Sequence, residues 1–256
     1  MGILQAIMGF LILDLYFNLI PHLIPLGTVP WLVYAIGFFV LAHHVAKLTG
    51  LDGIGSLGVS SHYGWKRNLR IGIAYGSVLW AMMYTLLWLF GDFRVTGVKA
   101  APEAVILLIE ALAVMFLGSL INDLIVRGYV FAHLKGKMRA GLLLLLSSAI
   151  YAADDVWLAG FSMQNAIFSM ILGLSLGYAL LETGSIWLST GIHWGLNAMY
   201  CLVHGIPGRE EAKGLLLAEQ GTSGASMLDN AHIIAAALLF IALFITFGRL
   251  RVNRVN

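Results

Sequence analysis

Charge is what this sequence has least of. Only 11% of its 256 residues are Asp, Glu, Lys or Arg, where a soluble chain carries about a quarter. At the same time 60% are apolar and the mean hydropathy is +0.88. The deficit excludes an ordinary water-soluble globule and predicts an integral, multi-pass membrane protein. Cysteine is as scarce: Cys201 is alone, which excludes an intrachain disulfide and reads as a small core residue. Neither CxxC nor HExxH occurs, so a metal would need ligands gathered from separate helices. No basic residue precedes the first apolar run, MGILQAIMGF, so that run reads as a first membrane helix and not as a cleavable signal peptide. No basic tract interleaved with aromatics points to nucleic acid, and the net charge of +2 is assigned to membrane anchoring. No Pro/Ser-rich linker, internal repeat or low-complexity tract divides the chain, which predicts a single transmembrane domain over residues 1–256.

What is present is a succession of apolar runs. Crossing a hydrocarbon core of about 30 Å takes about 20 helical residues. Eight runs qualify, at roughly 3–22, 29–49, 70–91, 103–126, 139–153, 161–182, 185–204 and 230–248. The expected fold is all-α, a polytopic bundle of about eight transmembrane helices, whose fifth is short enough to end inside the protein. With the N-terminus in the cytoplasm, eleven of the fifteen Lys and Arg fall on the cytoplasmic side, leaving Arg94, Lys99, Arg209 and Lys213 outside. That bias fits the positive-inside rule and an even number of spans, with both termini cytoplasmic. The absence of targeting signals and the short basic ends suit a prokaryotic cytoplasmic membrane.

Two loops stand out. Residues 50–69 are rich in Gly and Ser and close with a basic cluster, as expected of a connection at the lipid headgroups. Residues 205–229 hold Glu210, Glu211, Glu219 and Asp229, and their stretch EEAKGLLLAEQ has the makings of a short interfacial helix. A solvated connector is the simpler expectation for both.

Against this background, polar residues inside the spans carry the information, because each is costly unless it faces a protein interior or a wet cavity. Asp123 and Arg127 are four apart and share a helix face, with Asn122 turned about 100° away. Asp154 and Asp155 close the fifth span, and adjacent carboxylates in a confined site do not both ionise freely; an exposed pair at the outer surface is the simpler alternative. His193 and Asn197, again four apart in TGIHWGLNAMY, can both donate to an oxygen that gains negative charge. Gly173 with Gly177, and Gly191 with Gly195, are small-xxx-small pairs that let helices approach. Asp14, His43, His44 and Glu110 also lie in apolar spans. A relay of such groups would suit a transporter, or a structural subunit of a membrane complex, but snorkelling or interhelical hydrogen bonding is the plainer reading of each.

These stretches resemble a known family, the CAAX-protease and bacteriocin-processing (CPBP, or ABI) intramembrane proteases. NDLIVRGYVF, from Asn122 to Phe131, is similar to a first motif normally written Glu-Glu-x-x-x-Arg followed by Gly-aromatic. SSAIYAADDVW is similar to a second, in which an aromatic residue, here Tyr151, stands four before a His. LGLSLGYALLETGSIWLSTGIHWGLN is similar to a third, with its Thr-Gly-Ser turn and His-x-x-x-Asn. The resemblance covers residues 118–200, within a family-like core at about 103–204. It implies an all-helical hydrolase-like bundle in which the first Glu activates water with help from the motif-two His, while the motif-three His and Asn hold the oxyanion.

Transferred to this chain, the resemblance assigns Asn122, Asp123, Arg127, Asp155, His193 and Asn197 to the catalytic positions. It assigns Tyr151, Asp154 and Trp194 to substrate or partner contacts. Asn122 stands at the Glu position and cannot accept a proton as a base. Asp155, or Asp154 if the register slips by one, stands at the His position. Arg127, His193 and Asn197 match outright. The expectation is a pseudoprotease that binds a hydrophobic peptide, a lipid or a membrane-protein partner without cutting it; the alternative is an active intramembrane endopeptidase with Asp155 or Asp123 as a relocated base. No cofactor is expected, although Asp123, Asp154, Asp155 and His193 are an oxygen-rich set that would suit a divalent metal.

Overall fold

In a computed structural model, described at residues 3–24, 26–90, 93–207, 214–220 and 230–255, the chain is a bundle of eight long helices. These are α1 (Ile3–Leu23), α2 (Thr28–Leu48), α3 (Trp65–Leu89), α4 (Ala101–Asp123), α5 (Ala140–Asp154), α6 (Met163–Thr183), α7 (Ile186–His204) and α8 (Ala231–Val255). Seven of the helical stretches among the described residues are long and apolar enough to cross a membrane, and the protein is an integral membrane protein. The exception is α7. It is long enough but carries Ser189, Thr190, His193 and Asn197, which face other helices, and it sits in the middle of the bundle against α3, α4 and α6.

Close backbone approach fixes that central position. Gly72 and Gly76 of α3 interlock with Gly191 and Gly195 of α7, where an added Cβ would meet main-chain atoms of the facing helix. Without side chains in the way, the two helices pack at backbone distance. Gly173 does the same for α6 against the Ser148 main chain of α5, while Gly177 makes room for the Leu144 side chain. Apolar residues fill the rest in two clusters. One, including Trp80, Leu172, Leu176, Ile192 and Leu239, joins α3, α6, α7 and α8. The other, including Leu13, Phe38, Leu120, Ile121 and Ile125, joins α1, α2 and α4.

Helix α4 does not stop at residue 126. It passes through a π-helical turn, Leu124–Tyr129, into a last helical stretch, Val130–Leu134. A widened turn of this kind is rare and concentrates at functional sites; here it carries Arg127 and Gly128. Gly128 is required by its neighbour, since a Cβ would run into the carbonyl oxygen of Leu57. That contact corrects the expectation for residues 50–69. Leu57, in a short 3-10 turn at Ile54–Leu57, is buried, the Ile186 amide donates to the Gly58 carbonyl at 3.4 Å and the Trp187 indole donates to the Ser60 carbonyl at 3.2 Å. The loop is docked on the start of α7 at Leu57, Gly58 and Ser60, while Asp52, Ser61 and Tyr63 stay exposed.

The other loop is also not helical where it is described. Leu216–Gln220 is a strand, paired antiparallel with Phe93–Val98 so that Arg94 lies opposite Glu219. Backbone hydrogen bonds to the 93–98 segment take over from an interfacial helix, and opposed charges suit a two-stranded ribbon. Arg209, Glu210, Glu211, Lys213 and Asp229 lie outside the described residues, as do the side chains of Arg249, Arg251 and Arg254.

Candidate functional site

The Thr-Gly-Ser turn sets the geometry from which the rest follows. Gly184 takes φ 65°, in the left-handed region that a helix-ending glycine supplies without strain. Thr183 Oγ1 donates to the Ala179 carbonyl at 2.7 Å, and Ser185 Oγ caps α7 by accepting from the Trp187 amide at 3.4 Å. So α6 ends and α7 begins within three residues, and α7 runs back along α4.

Two polar pairs then meet in register. On α7, His193 and Asn197 are one turn apart; on α4, Asp123 and Ser119 are one turn apart. His193 Nδ1 lies 3.2 Å from Asp123 Oδ1, and Asn197 Nδ2 donates to Ser119 Oγ at 3.1 Å. Asp123 is completely buried and saturated. Arg127 Nη1 donates to its Oδ1, and the hydroxyls of Ser189 and Thr190 donate to its Oδ2 at 3.0 Å each. Arg127 is equally buried, with its guanidinium 4.5 Å from the centre of the Tyr151 ring, a distance at which a cation is attracted to the ring face. Tyr151 meets the His193 ring edge-on at 5.8 Å. Asp123, Arg127, Ser189, Thr190, His193 and Tyr151 form one connected unit. A proton on His193 Nδ1 aimed at the carboxylate orients the ring and leaves Nε2 as the nitrogen able to serve anything that enters.

The second group lies one helix face away. Asn122 Nδ2 donates to Asp154 Oδ2, while Asn122 Oδ1 is buried without a partner. Asn18 of α1 donates to Asp154 Oδ1 at 2.7 Å and to Asp14 Oδ1 at 3.3 Å. The residue facing Asn122 is therefore Asp154, with the register slipped by one. Asp155 is turned about 100° away, to α6, where Ser169 Oγ donates to its Oδ2 at 2.5 Å and Asn165 Nδ2 donates at 2.9 Å. This corrects both expectations for the pair: Asp155 does not reach Asn122, and neither carboxylate is a free group at an outer surface. Asp155 is expected to be structural. Asp155→Asn, which keeps the shape but gives up charge-assisted bonds, should lower the thermal midpoint by an amount corresponding to about 1–2 kcal/mol, and should leave any measured binding or cleavage unchanged.

Sequence reasoning missed Asn18, Ser119, Ser189 and Thr190, and assigned Asp14 no part in the site. Asp14 and Asn18 are themselves four apart, and that spacing was a usable signal. Ser189 and Thr190 gave none, because hydroxyls are common in packed membrane helices. Gly72 and Gly76 follow the same small-xxx-small spacing that marked the glycines of α6 and α7.

Trp194 points away from both polar groups. Its indole donates to the Leu112 carbonyl at 3.1 Å, and it lines an apolar pocket of about 220 Å³ with Ile73, Leu107, Ala111, Ala198 and Leu202, between α3, α4 and α7. Among the described residues no group of three or more His, Cys, Asp or Glu is arranged to hold a metal ion. The set Asp123, Asp154, Asp155 and His193 is split three ways: Asp123 with His193 toward α7, Asp154 toward α1, and Asp155 toward α6.

Residues 104–199 match the family model described as type II CAAX prenyl endopeptidase Rce1-like. No curated protein matches the chain, and no solved structure does. The matched segment runs from α4 to α7 and contains Asn122, Asp123, Arg127, Tyr151, Asp154, Asp155, His193 and Asn197. The chain is thus a membrane protein that over residues 104–199 is similar to the type II CAAX prenyl endopeptidase Rce1-like family.

Proposed function

We propose that this CAAX-protease-like chain is a catalytically impaired member of its kind, which holds a hydrophobic peptide, lipid or membrane-protein partner against the bundle without cutting it. The observation that carries this reading is Asn122. It stands where the resemblance expects the water-activating Glu, and it is an amide that spends its donor on Asp154. No neighbour on α4 replaces it, since both oxygens of Asp123 are engaged by Arg127, His193, Ser189 and Thr190. Loss of a general base typically costs a factor of about 10² to 10⁴. The apolar pocket beside Trp194 offers a seat for an apolar segment, and lipid surrounds the exposed faces. The bias of Lys and Arg supports both termini on the cytoplasmic side, and the short basic ends suit a prokaryotic cytoplasmic membrane.

The test is hydrolysis by the purified protein, reconstituted in lipid, of prenylated and hydrophobic model peptides. The wild-type chain is expected to give no cleavage above background. The double substitution Asn122→Glu with Asp154→His puts the expected pair on the two residues that face each other, and is expected to raise cleavage by about 10²-fold. Robust wild-type cleavage abolished by Asp154→Asn would overturn the proposal. It would establish instead a second reading, an active endopeptidase with Asp154 as the relocated base, which the Asn122–Asp154 hydrogen bond favours over Asp155 or Asp123 in that role.

A further inference from the structure

Helix α1 is the most thinly attached of the eight. Only Gly9, Leu13 and Asp14 are buried along it, against twelve residues along α7, and Ile7, Met8, Leu11, Ile12 and Leu15 all face outward. Near its start the Tyr129 hydroxyl donates to the Ala6 carbonyl at 3.1 Å. Near its middle the attachment is different in kind. Asn18 bridges Asp14 and Asp154.

The consequence for Asp154 is that both of its oxygens are engaged. One accepts from α1 through Asn18 and the other from α4 through Asn122, and the side chain is buried while α1 is in place. The balance of forces in a membrane makes such a contact decisive. A helix that leaves its bundle keeps its own backbone hydrogen bonds, and lipid tails replace apolar side-chain contacts almost evenly, whereas interhelical polar bonds contribute roughly 0.6–2 kcal/mol each. Tyr16 and Phe17 tie α1 to α2, through stacking on Tyr34, a hydrogen bond to the Tyr34 carbonyl and an edge contact with Phe38, while Asp14 and Asn18 hold α1 to the Asn122–Asp154 site.

We propose that α1 is a built-in strap over the Asn122–Asp154 site. Its Asp14–Asn18 pair fills the hydrogen-bonding positions of that site and keeps it closed, and giving up those bonds lets α1 swing into the surrounding lipid and opens the site toward the membrane. The strap stands on its own contacts, whether or not the protein hydrolyses anything.

Spin-label distances test this in the full chain, reconstituted in lipid, in a Cys201→Ala background. Labels at Ile12→Cys on α1 and Leu142→Cys on α5, both lipid-facing, report the strap; labels at Val78→Cys on α3 and Tyr200→Cys on α7 report the core. With Asp14 and Asn18 intact, both distance distributions are expected to be single and narrow. Asp14→Leu with Asn18→Leu is expected to broaden the α1–α5 distribution and add longer distances while leaving α3–α7 unchanged, and Asp14→Asn, which keeps a donor and an acceptor in place, is expected to keep the strap distance narrow. An unchanged α1–α5 distribution in the double Leu variant would refute the strap. So would equal spreading of the α3–α7 distance, since the pair would then hold the whole bundle. Neither readout depends on cleavage, so the strap and the proposed function fail separately.

Discussion

Asp123→Ala is expected to cost this protein roughly 3–5 kcal/mol of stability, the range for removing one partner of a buried ion pair. Four side chains converge on that carboxylate, from the π turn of its own helix and from α7. Arg127 is completely buried, and its Nε and Nη2 already have no partner. Once Asp123 is gone, Nη1 loses its acceptor and the cation is left with the face of Tyr151. Reversible unfolding of the detergent-solubilised chain measures the cost. The companion variant Asp123→Leu with Arg127→Met removes both charges, and should recover most of the loss because apolar residues of similar volume replace a pair that was costly to desolvate. A single-variant loss below about 1 kcal/mol would show that the pair is not the anchor of the α4–α7 contact.

Gly191→Val is expected to be comparably severe, for a steric reason. The new side chain would enter main-chain atoms of α3, with the Leu69 carbonyl, the Gly72 Cα and the Ile73 amide all inside contact distance. Backbone cannot rotate out of the way as a flexible side chain can, so α3 and α7 must separate. Overpacking in a tight interior costs typically about 1–3 kcal/mol and occasionally more, and here rigid main chain on both sides favours the upper end. Because His193 is only two residues further along α7, the same shift should move it off Asp123. The control is Gly118→Ala on α4, where nothing lies within 4 Å of the added carbon. There the change should be neutral or stabilising by up to about 1 kcal/mol, since alanine is the better helix former. Thermal melts of the two variants, compared with wild type, separate crowding from a general intolerance of glycine replacement.

Where sequence reasoning about the helices went astray, the reason is local. Helix α3 begins at Trp65, several residues before the start suggested by hydropathy, because Lys66, Arg67 and Arg70 fill its first turns and make a real helix look like a loop. Helix α4 runs on to Leu134 because the polar residues Asn122, Asp123 and Arg127, which resemble an ending in hydropathy, are instead turned inward. Helix α7 lies where the sequence placed it, at Ile186–His204. In both misread helices polarity was taken for a helix end: along α3 it is the exposed face of the first turns, and along α4 it faces another helix.

The sequence by itself determined the solvent, the approximate places of eight helices, and every relation confined to one helix. Asp123 with Arg127 and His193 with Asn197 share a face because the turn of an α-helix repeats every 3.6 residues wherever the helix is placed. Only the tertiary structure decided which faces meet. It chose Asp154 over Asp155 as the neighbour of Asn122, a matter of about 100° of rotation that spacing does not encode. It brought Asp14 and Asn18 onto the site from a helix more than a hundred residues away in sequence, and it folded the loop at Leu57 against Gly128. Relations between helices depend on how side chains, and their absence at glycine, let surfaces fit. That fit is a property of two segments at once.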